Sequence, residues 1–514
     1  MNLLLSGPPG AGKTTIGQLC AERLNYDLID TDEIIATRAG KSISEIFVQQ
    51  GEAAFRALER EIVAHAAAQD GRVIALGGGS LLDGDNRALA TAAGTVVCLR
   101  ASEETIRARL GGNSQRPLLQ AGEDNGVALR MLLRERAAHY DSFTLQLQTD
   151  MLTPEAAADH IVAEFMPWYS TVQTTATGCA LLLGTGVRAY LMRLLREHEL
   201  SHPAIIVTDT NVGPLWAGVL GEQLGAPVVS VSAGEAHKTL EAARDLYDAF
   251  LQYGLDRHSL ILAVGGGVIG DLAGFAAATF MRGVSWVNMP TSLLAMVDAS
   301  IGGKVGVDLP QGKNLVGTFH PPVLVLADTE LLETLPPEEY TSGMAEVLKH
   351  GIIADAELFD AIGPEALPLS RNLMQRALAV KIEIVQRDPY EKGERAKLNL
   401  GHTIGHGIEA ASDFALRHGE AIGIGLLAET RLAERIGLAN VGISDRVAAQ
   451  LQTLGLPTGC PGLPVQRIRT SMSSDKKKRA DELTFALPTA IGEVEYGVTV
   501  EEALLQAVIA EAVA

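Results

Sequence analysis

Residues Asn2–Thr14 read NLLLSGPPGAGKT, and this stretch decides the fold of the first part of the chain. Asn2 to Ser6 is a short apolar run, suited to a buried parallel strand. It leads into Gly7-Pro-Pro-Gly10-Ala11-Gly12-Lys13-Thr14, the pattern G-x-x-x-x-G-K-[ST], and a helical pattern follows from Thr15. In a strand–loop–helix of this kind the bare N–H groups at the helix N-terminus cradle phosphates, and the helix dipole favours their charge. Lys13 would reach the β- and γ-phosphates, and the Thr14 hydroxyl would ligate Mg²⁺. The loop predicts a P-loop domain on a parallel sheet. It speaks for a nucleotide and not yet for an acceptor.

The next signals concern the acceptor. Tyr26–Asp30 reads as a second strand ending in Asp30-Thr31-Asp32. Two carboxylates two apart at a strand end project to one side, so one can hold Mg²⁺ and the other meet a hydroxyl; solvated surface acids are the alternative. Ser42-x-x-Glu45 is a capping box, and Phe55, Leu58 and Ile62 form an apolar stripe after Gly51. Arg56 and Arg60 lie off the stripe, as anion ligands or as surface ion pairs. Val73–Leu76 is a third strand, followed by Gly77-Gly78-Gly79, whose N–H groups can close on a ligand. Thr95–Leu99 is a fourth. Beyond it lie Arg116-Pro-Leu-Leu119, a loop suited to a lid, and then Arg136 and Tyr140.

GPPGAGKT, DTD, Phe55-Arg56, GGG, RPLL and Arg136-x-x-x-Tyr140 stand in the order and spacing of shikimate kinase, so residues 1–165 resemble that family. The resemblance implies that Gly10, Ala11, Gly12, Lys13, Thr14, Thr15 and Arg116 bind ATP. Thr14 and Asp30 would hold Mg²⁺. Asp32, Arg56, Gly78, Gly79 and Arg136 would bind shikimate, with Lys13, Asp32 and Arg116 catalytic. A small acid needs the planar forks of arginine, and phosphoryl transfer needs positioning more than covalent chemistry.

The whole chain has 514 residues, too long for one core. Its net charge of −20 disfavours general nucleic-acid or anionic-membrane binding. Cys20, Cys98, Cys179 and Cys460 are scattered, with no CxxC pair, which fits a reducing, cytoplasmic setting. The expectation is no signal peptide and no membrane span. From Met166 to Ala180 the regular α/β pattern lapses, and a linker is expected there.

In the second part, Ala204–Asp209 is a buried strand ending in Asp209-Thr-Asn211, and Glu235-Ala-His-Lys238 precedes a helix. Leu260–Val264 is another strand, followed by Gly265-Gly-Gly267-Val-Ile-Gly270-Asp271. This holds the dinucleotide pattern G-x-G-x-x-G in context, though such glycines also serve helix–strand packing. Thr291-Ser292, Asp298…Lys304 and Lys313-Asn314 follow, the charges suggesting an anion pocket or solvated loops. From about Glu338 a helical pattern dominates. Glu346 and Lys349 share one helix face, as an ion pair by default. The stretch Asn399–Glu420, NLGHTIGHGIEAASDFALRHGE, packs three of the 12 histidines, His402, His406 and His418, into one run. His402 and His406 lie four apart, but Thr403 stands where a zinc protease has Glu. A metal site of another kind, or packed histidines, are the two readings.

GGGVIGD, PTSLL, VDASIGGK, GKN, EVLK, NLGHTIGH and HGE resemble 3-dehydroquinate synthase, from about residue 180 onward. The resemblance implies an NAD-binding α/β part over 181–336 and a mostly α-helical metal- and substrate-binding part over 337–514. By motif, Glu346, His402 and His418 ligate zinc or cobalt. Asp209, Asn211, Glu235, Lys238, Gly266, Gly267, Asp271, Thr291, Ser292, Lys313 and Thr334 contact NAD. Arg282, Asp298, Lys304, Lys313, Asn314, Lys349, Lys381, Arg395, Asn399, His406 and Lys476 or Lys477 line the substrate pocket, with Lys304, Lys349, Lys381, Arg395 and His406 catalytic. Ala299 stands in place of a common serine, and the segment before Ala204 aligns poorly. The implied reaction is redox-neutral: an alcohol is oxidised, phosphate is eliminated, the hydride returns, and an aldol closure gives the carbocycle.

The sequence thus predicts a bifunctional enzyme of chorismate biosynthesis, with ATP, Mg²⁺, NAD and Zn²⁺ or Co²⁺ as cofactors, small-molecule substrates, and a homodimer through the synthase half. Two alternatives remain. One is another sugar-phosphate cyclase making an inosose or valiolone. The other is a nucleotide-sensing module fused to a single enzyme, which would need a broken kinase site.

Overall fold

The computed structural model describes residues 1–110, 125–174, 178–200, 202–474 and 483–514. Arg116, Lys476 and Lys477 lie outside the described residues. The chain divides into two compact units, Met1–Pro167 and Trp168–Ala514.

The first unit is built on five strands: β1 (Asn2–Ser6), β2 (Asp27–Asp30), β3 (Arg72–Ala75), β4 (Gly94–Arg100) and β5 (Gln146–Gln148). Their order is β2-β3-β1-β4-β5, with every pairing parallel. The apolar run of β1 takes the centre and is buried along its whole length. Successive side chains of a strand point to opposite faces. Leu3 and Leu5 therefore enter one core with Ile16 and Val97, while Leu4 enters the other with Val63 and Ile74. Each such leucine contributes about 1.5–3 kcal/mol by leaving water. The Ile43–Ala67 helix starts at the Ser42–Glu45 capping box and bends at Gly51, where φ is +81°. Phe55 and Ile62 of the apolar stripe are buried below the bend, and Leu58 is only partly covered.

The second unit has a seven-stranded sheet ordered β6-β7-β14-β11-β10-β8-β9. These are Trp168–Val172, Cys179–Gly184, Leu324–Asp328, Ser285–Pro290, Leu260–Gly265, Pro203–Asp209 and Val228–Val231 in that spatial order. All pairings are parallel except β6 with β7. The expected linker over 166–180 is therefore corrected: WYSTV is an edge strand of this sheet. Its outward residues alternate with covered ones, and that half-polar pattern passes for a loop. The region from Lys304 to Asn314 likewise belongs to a hairpin, β12 (Lys304–Leu309) with β13 (Gly312–Phe319). After Pro337 the fold is mostly helical, with a second hairpin of β15 (Thr484–Ala490) and β16 (Glu493–Thr499). Among the described residues no helix is long and apolar enough to cross a membrane.

Candidate active sites

In the first unit, β1 hands the chain to a loop that only glycine can trace. Gly7 has φ +128°, and a Cβ there would meet the Leu99 carbonyl oxygen at 2.2 Å. The loop ends at Gly12, φ +99°, where the Lys13–Leu24 helix begins with no side-chain cap. An uncapped helix N-terminus behind a glycine loop is the arrangement that favours an anion. Lys13 Nζ donates to the carbonyls of Gly7 at 2.8 Å and Pro8 at 3.0 Å, which folds the lysine over its own loop. Thr14 Oγ1 donates to Asp30 Oδ2 at 2.6 Å, so the two residues expected at Mg²⁺ stand together. The other Asp30 oxygen caps the next helix by accepting from the Asp32 and Glu33 N–H groups.

The acceptor residues meet at the triple glycine. A Cβ on Gly77 would lie 2.7 Å from Asp32 Oδ1, and one on Gly79 would lie 3.0 Å from Arg136 Nη1. Arg136 Nη1 and the Tyr140 hydroxyl both donate to the Gly78 carbonyl, at 3.1 and 2.8 Å. Arg56 pairs with Glu59 at 2.6 Å, and Glu59 also accepts from Ser80 Oγ at 2.5 Å. Glu59 is buried beside these residues, and the motifs did not include it. Its position three residues after Arg56, on the same helix face, was the available signal. Arg60 instead pairs with Asp83 at the surface.

In the second unit, three helices carry the metal candidates, and close backbone approaches fix them. The Pro337–Ala354 helix is buried from Ser342 to Ile353 and presents Glu346, Lys349 and His350. The His418–Arg435 helix begins against it: the Gly419 N–H donates to Ser342 Oγ at 3.0 Å. A Cβ on Gly419 would meet the Ser342 carbonyl at 1.9 Å. The same helix packs on the His402–Ala411 helix through Gly425, where a Cβ would lie 2.0 Å from the Gly401 carbonyl. Buried Glu429 then caps that helix, accepting from the N–H groups of Gly401 at 2.6 Å and Ile404 at 3.0 Å. A carboxylate there satisfies two orphan donors and the helix dipole.

These contacts bring His402 Nε2 to 3.6 Å and His418 Nε2 to 3.5 Å from the same Glu346 oxygen. Neither Glu346 oxygen has a directed hydrogen bond, although Lys349 pairs with the carboxylate. Gaps of this size are too long for hydrogen bonds and close to the edge of a tetrahedron of ligands around zinc, about 3.3 Å. The donor set thus fits a divalent metal. His406 stands exposed beside them, its ring centroid 5.0 Å from that of His402. One nitrogen from each of His402, His406 and His418 lies within 4.8 Å of the others, and Asp298, Glu346 and His350 form a second such group of donors. Burial opposes the His418 imidazolium, but Glu346 and Glu409 outweigh it and lift its pKa to about 9. Burial and the Lys349 charge hold His402 well below the ordinary histidine value.

Around the centre lies a knot of opposite charges. Asp298 Oδ1 takes Lys381 Nζ at 2.8 Å, His350 Nε2 at 3.3 Å and Lys349 Nζ at 3.5 Å. Burial pushes Lys381 down to about 8 against the pull of Asp298. Lys304 pairs with Glu391, which also accepts from Asn399 Nδ2 at 3.2 Å. Arg395 is buried and donates to the carbonyls of Pro389 at 2.6 Å and Gly302 at 3.4 Å. Sequence reading missed His350, Glu391, Glu409 and Glu429. Glu409 follows His402 and His406 at helical spacing, so its place on their face was legible.

The dinucleotide candidates cluster at the carboxyl ends of the sheet strands. Gly266 begins the Gly267–Thr279 helix after β10, and the Thr291 N–H donates to the Gly265 carbonyl at 2.9 Å. Gly270 serves packing: a Cβ there would lie 3.2 Å from Asn288 of β11. Lys238 Nζ binds Asp271 at 2.5 Å and Asn314 at 2.6 Å. Glu235 lies 3.7 Å from both Lys238 and Lys313. Asp209 accepts from the Asn211 N–H at 2.8 Å, and Thr334 Oγ1 accepts from Trp216 Nε1 at 2.8 Å. Ser292 Oγ lies against Gly266. Arg282 stands exposed with φ +70°, and the structure records no contact from it to the cluster.

Fold and sites together define a P-loop kinase-type domain followed by a dinucleotide-type α/β domain with a candidate carboxylate–histidine metal site. Family profiles match accordingly: shikimate kinase over residues 9–166, 3-dehydroquinate synthase N-terminal over 228–342, and 3-dehydroquinate synthase C-terminal over 343–478. The 3-dehydroquinate synthase of Symbiobacterium thermophilum is 44% identical over 329 residues, covering 61% of this chain and 92% of its own. That of Synechocystis sp. is 46% identical, covering 54% and 80%. The structure of ValA, a 2-epi-5-epi-valiolone synthase from Streptomyces hygroscopicus subsp. jinggangensis with NAD⁺ and Zn²⁺ bound, is 29% identical. It covers 64% of this chain and 95% of its own, with a TM-score of 0.59. The chain belongs to the 3-dehydroquinate synthase family and carries a shikimate kinase domain ahead of that part.

Proposed function

We propose that each half works with the residues assembled above, as two separate sites on one bifunctional enzyme of chorismate biosynthesis. The first half phosphorylates shikimate from ATP. The second converts the heptulosonate 7-phosphate to 3-dehydroquinate with release of phosphate. The observation that carries the second assignment is the buried Glu346 carboxylate, whose Oε1 faces two imidazole nitrogens at 3.5–3.6 Å while Lys349 pairs with its other oxygen.

In the kinase half the loop N–H groups and Lys13 hold the nucleotide phosphates, and Thr14 with Asp30 holds Mg²⁺. Asp32 orients the attacking hydroxyl. Arg56, braced by Glu59, and Arg136, braced on Gly78, fix the shikimate carboxylate and ring. Arg116 is assigned by motif to the transferring phosphoryl.

In the synthase half Glu346, His402 and His418 would hold Zn²⁺ or Co²⁺, the metals that accompany NAD⁺ in solved relatives. Bound there, the metal supplies a Lewis acid for the substrate hydroxyls. Asp209, Asn211, Glu235, Lys238, Gly266, Gly267, Asp271, Thr291, Ser292, Lys313 and Thr334 hold NAD. Lys304, Lys349, Lys381, Arg395, Asn314, Asn399 and His406 bind the anionic substrate, which is how a chain of net charge −20 accepts one. Asp298 orients the lysines. Arg282, Lys476 and Lys477 join this set by motif alone.

The valiolone-type alternative has a structural likeness at 29% identity, whereas the 3-dehydroquinate synthases stand at 44–46%. Assays of the purified chain with the heptulosonate phosphate and with a non-carboxylated sugar phosphate decide between them; preference for the latter would overturn the assignment. A homodimer through the synthase half is the proposed assembly, tested by sedimentation. Four buried unpaired cysteines suit a reducing cytoplasm.

A further inference from the structure

Glu409 has no part in the assignments above, yet it is a buried carboxylate, 4% exposed, on the last turns of the His402–Ala411 helix. Buried acids of this kind are paired for a reason. Its two oxygens serve different partners. Oε2 lies 3.4 Å from Nδ1 of His418, and Oε1 accepts from Lys313 Nζ at 2.7 Å. The His418 nitrogen that meets Glu409 is not the one that faces Glu346, since Nε2 makes that approach. Lys313 comes from the β12–β13 hairpin and also lies 3.7 Å from Glu235. It sits 4.6 Å from the centre of the Phe414 ring, on the loop between the two histidine helices. The hairpin is thus anchored to the metal helices through one lysine.

We propose that Glu409 is a positioning residue that ties the metal ligand His418 to the dinucleotide-site residue Lys313, so that metal and NAD⁺ bind cooperatively. The proposal rests on the ligand set given under Proposed function. An imidazole that ligates through Nε2 carries its proton on Nδ1, and a carboxylate at Nδ1 selects that tautomer and fixes the ring plane. The same carboxylate holds the Lys313 ammonium at the edge of the dinucleotide pocket. Seating a metal on His418 therefore orders Glu409, and Glu409 orders Lys313. Linkage requires the effect to be mutual: NAD⁺ tightens the metal by the factor by which the metal tightens NAD⁺. A carboxylate that only neutralised Lys313 would leave metal affinity untouched.

The test uses the metal-free full chain, titrated with Zn²⁺ against a chelating indicator, with and without saturating NAD⁺. In the parent chain NAD⁺ tightens Zn²⁺ by about fivefold or more. Glu409→Gln weakens Zn²⁺ by roughly 10- to 100-fold and abolishes the NAD⁺ effect. Lys313→Met, titrated at NAD⁺ concentrations shown by direct binding to saturate that variant, gives no NAD⁺ effect on Zn²⁺, and it carries the test should the Glu409 variant not fold. Unchanged Zn²⁺ affinity in Glu409→Gln overturns the proposal, as does coupling that survives in either variant. His402→Ala separates the two levels. If it keeps the zinc, the ligand set itself is wrong; if it loses the zinc while Glu409→Gln keeps it, the positioning role alone fails.

Discussion

His418 Nε2 lies 3.5 Å from Glu346 Oε1, and the two residues come from different helices that meet where Gly419 touches Ser342. That contact leaves no room for a side chain. Gly419→Ala should therefore displace His418 while the rest of the unit folds. The expected outcome is a fall in zinc affinity of at least tenfold with near-parental circular dichroism; an alanine variant with parental zinc affinity would contradict the geometry.

A zinc-selective chelator should separate the two activities. With Mg²⁺ in excess, shikimate phosphorylation continues, while dehydroquinate formation stops and returns on adding Zn²⁺ or Co²⁺. Kinase loss under the same treatment would speak against separate metal sites.

Lys381 gives the synthase a basic limb. A lysine carries charge below its pKa, and burial brings this one down to about 8. Attraction for an anionic substrate is then present below pH 8 and lost as pH rises through that value. kcat/KM should fall above about pH 8, and Lys381→Arg, which stays charged, should carry the limb upward. A profile flat to pH 9.5 in the parent chain would remove Lys381 from substrate binding.

Glu429 caps the His402 helix from the neighbouring helix. Glu429→Ala leaves two buried N–H groups without a partner, at about 1–3 kcal/mol each. The synthase half should melt several degrees lower than the parent when both are zinc-free, read as a shift in the calorimetric transition that loss of metal cannot explain.

The central strands Asn2–Ser6 and Leu260–Gly265 were legible because each is an apolar run that leads into glycine, whereas the equally buried Leu324–Asp328 carries no such signal and was not read as a strand. The edge strand Trp168–Val172 was not, because its outward Tyr169 and Thr171 give it the polarity of a loop. The candidate site residues that the fold brings together were legible where glycine and histidine spacing carries them. Of their bracing carboxylates, Glu59 and Glu409 share a helix face with Arg56 and with His402, and spacing could have found them. Glu391 and Glu429 could not be found so, because nothing in local sequence separates a partnered acid from a solvated one, and Glu429 meets Gly401 from a distant part of the chain.

The most direct test of two independent sites on one chain is a pair of reciprocal knockouts assayed for both reactions on the same preparations. Lys13→Ala should lose shikimate phosphorylation and keep dehydroquinate formation at the parental rate, and His402→Ala should do the reverse. Loss of both activities in either variant, with the fold intact, or of neither, would contradict the account.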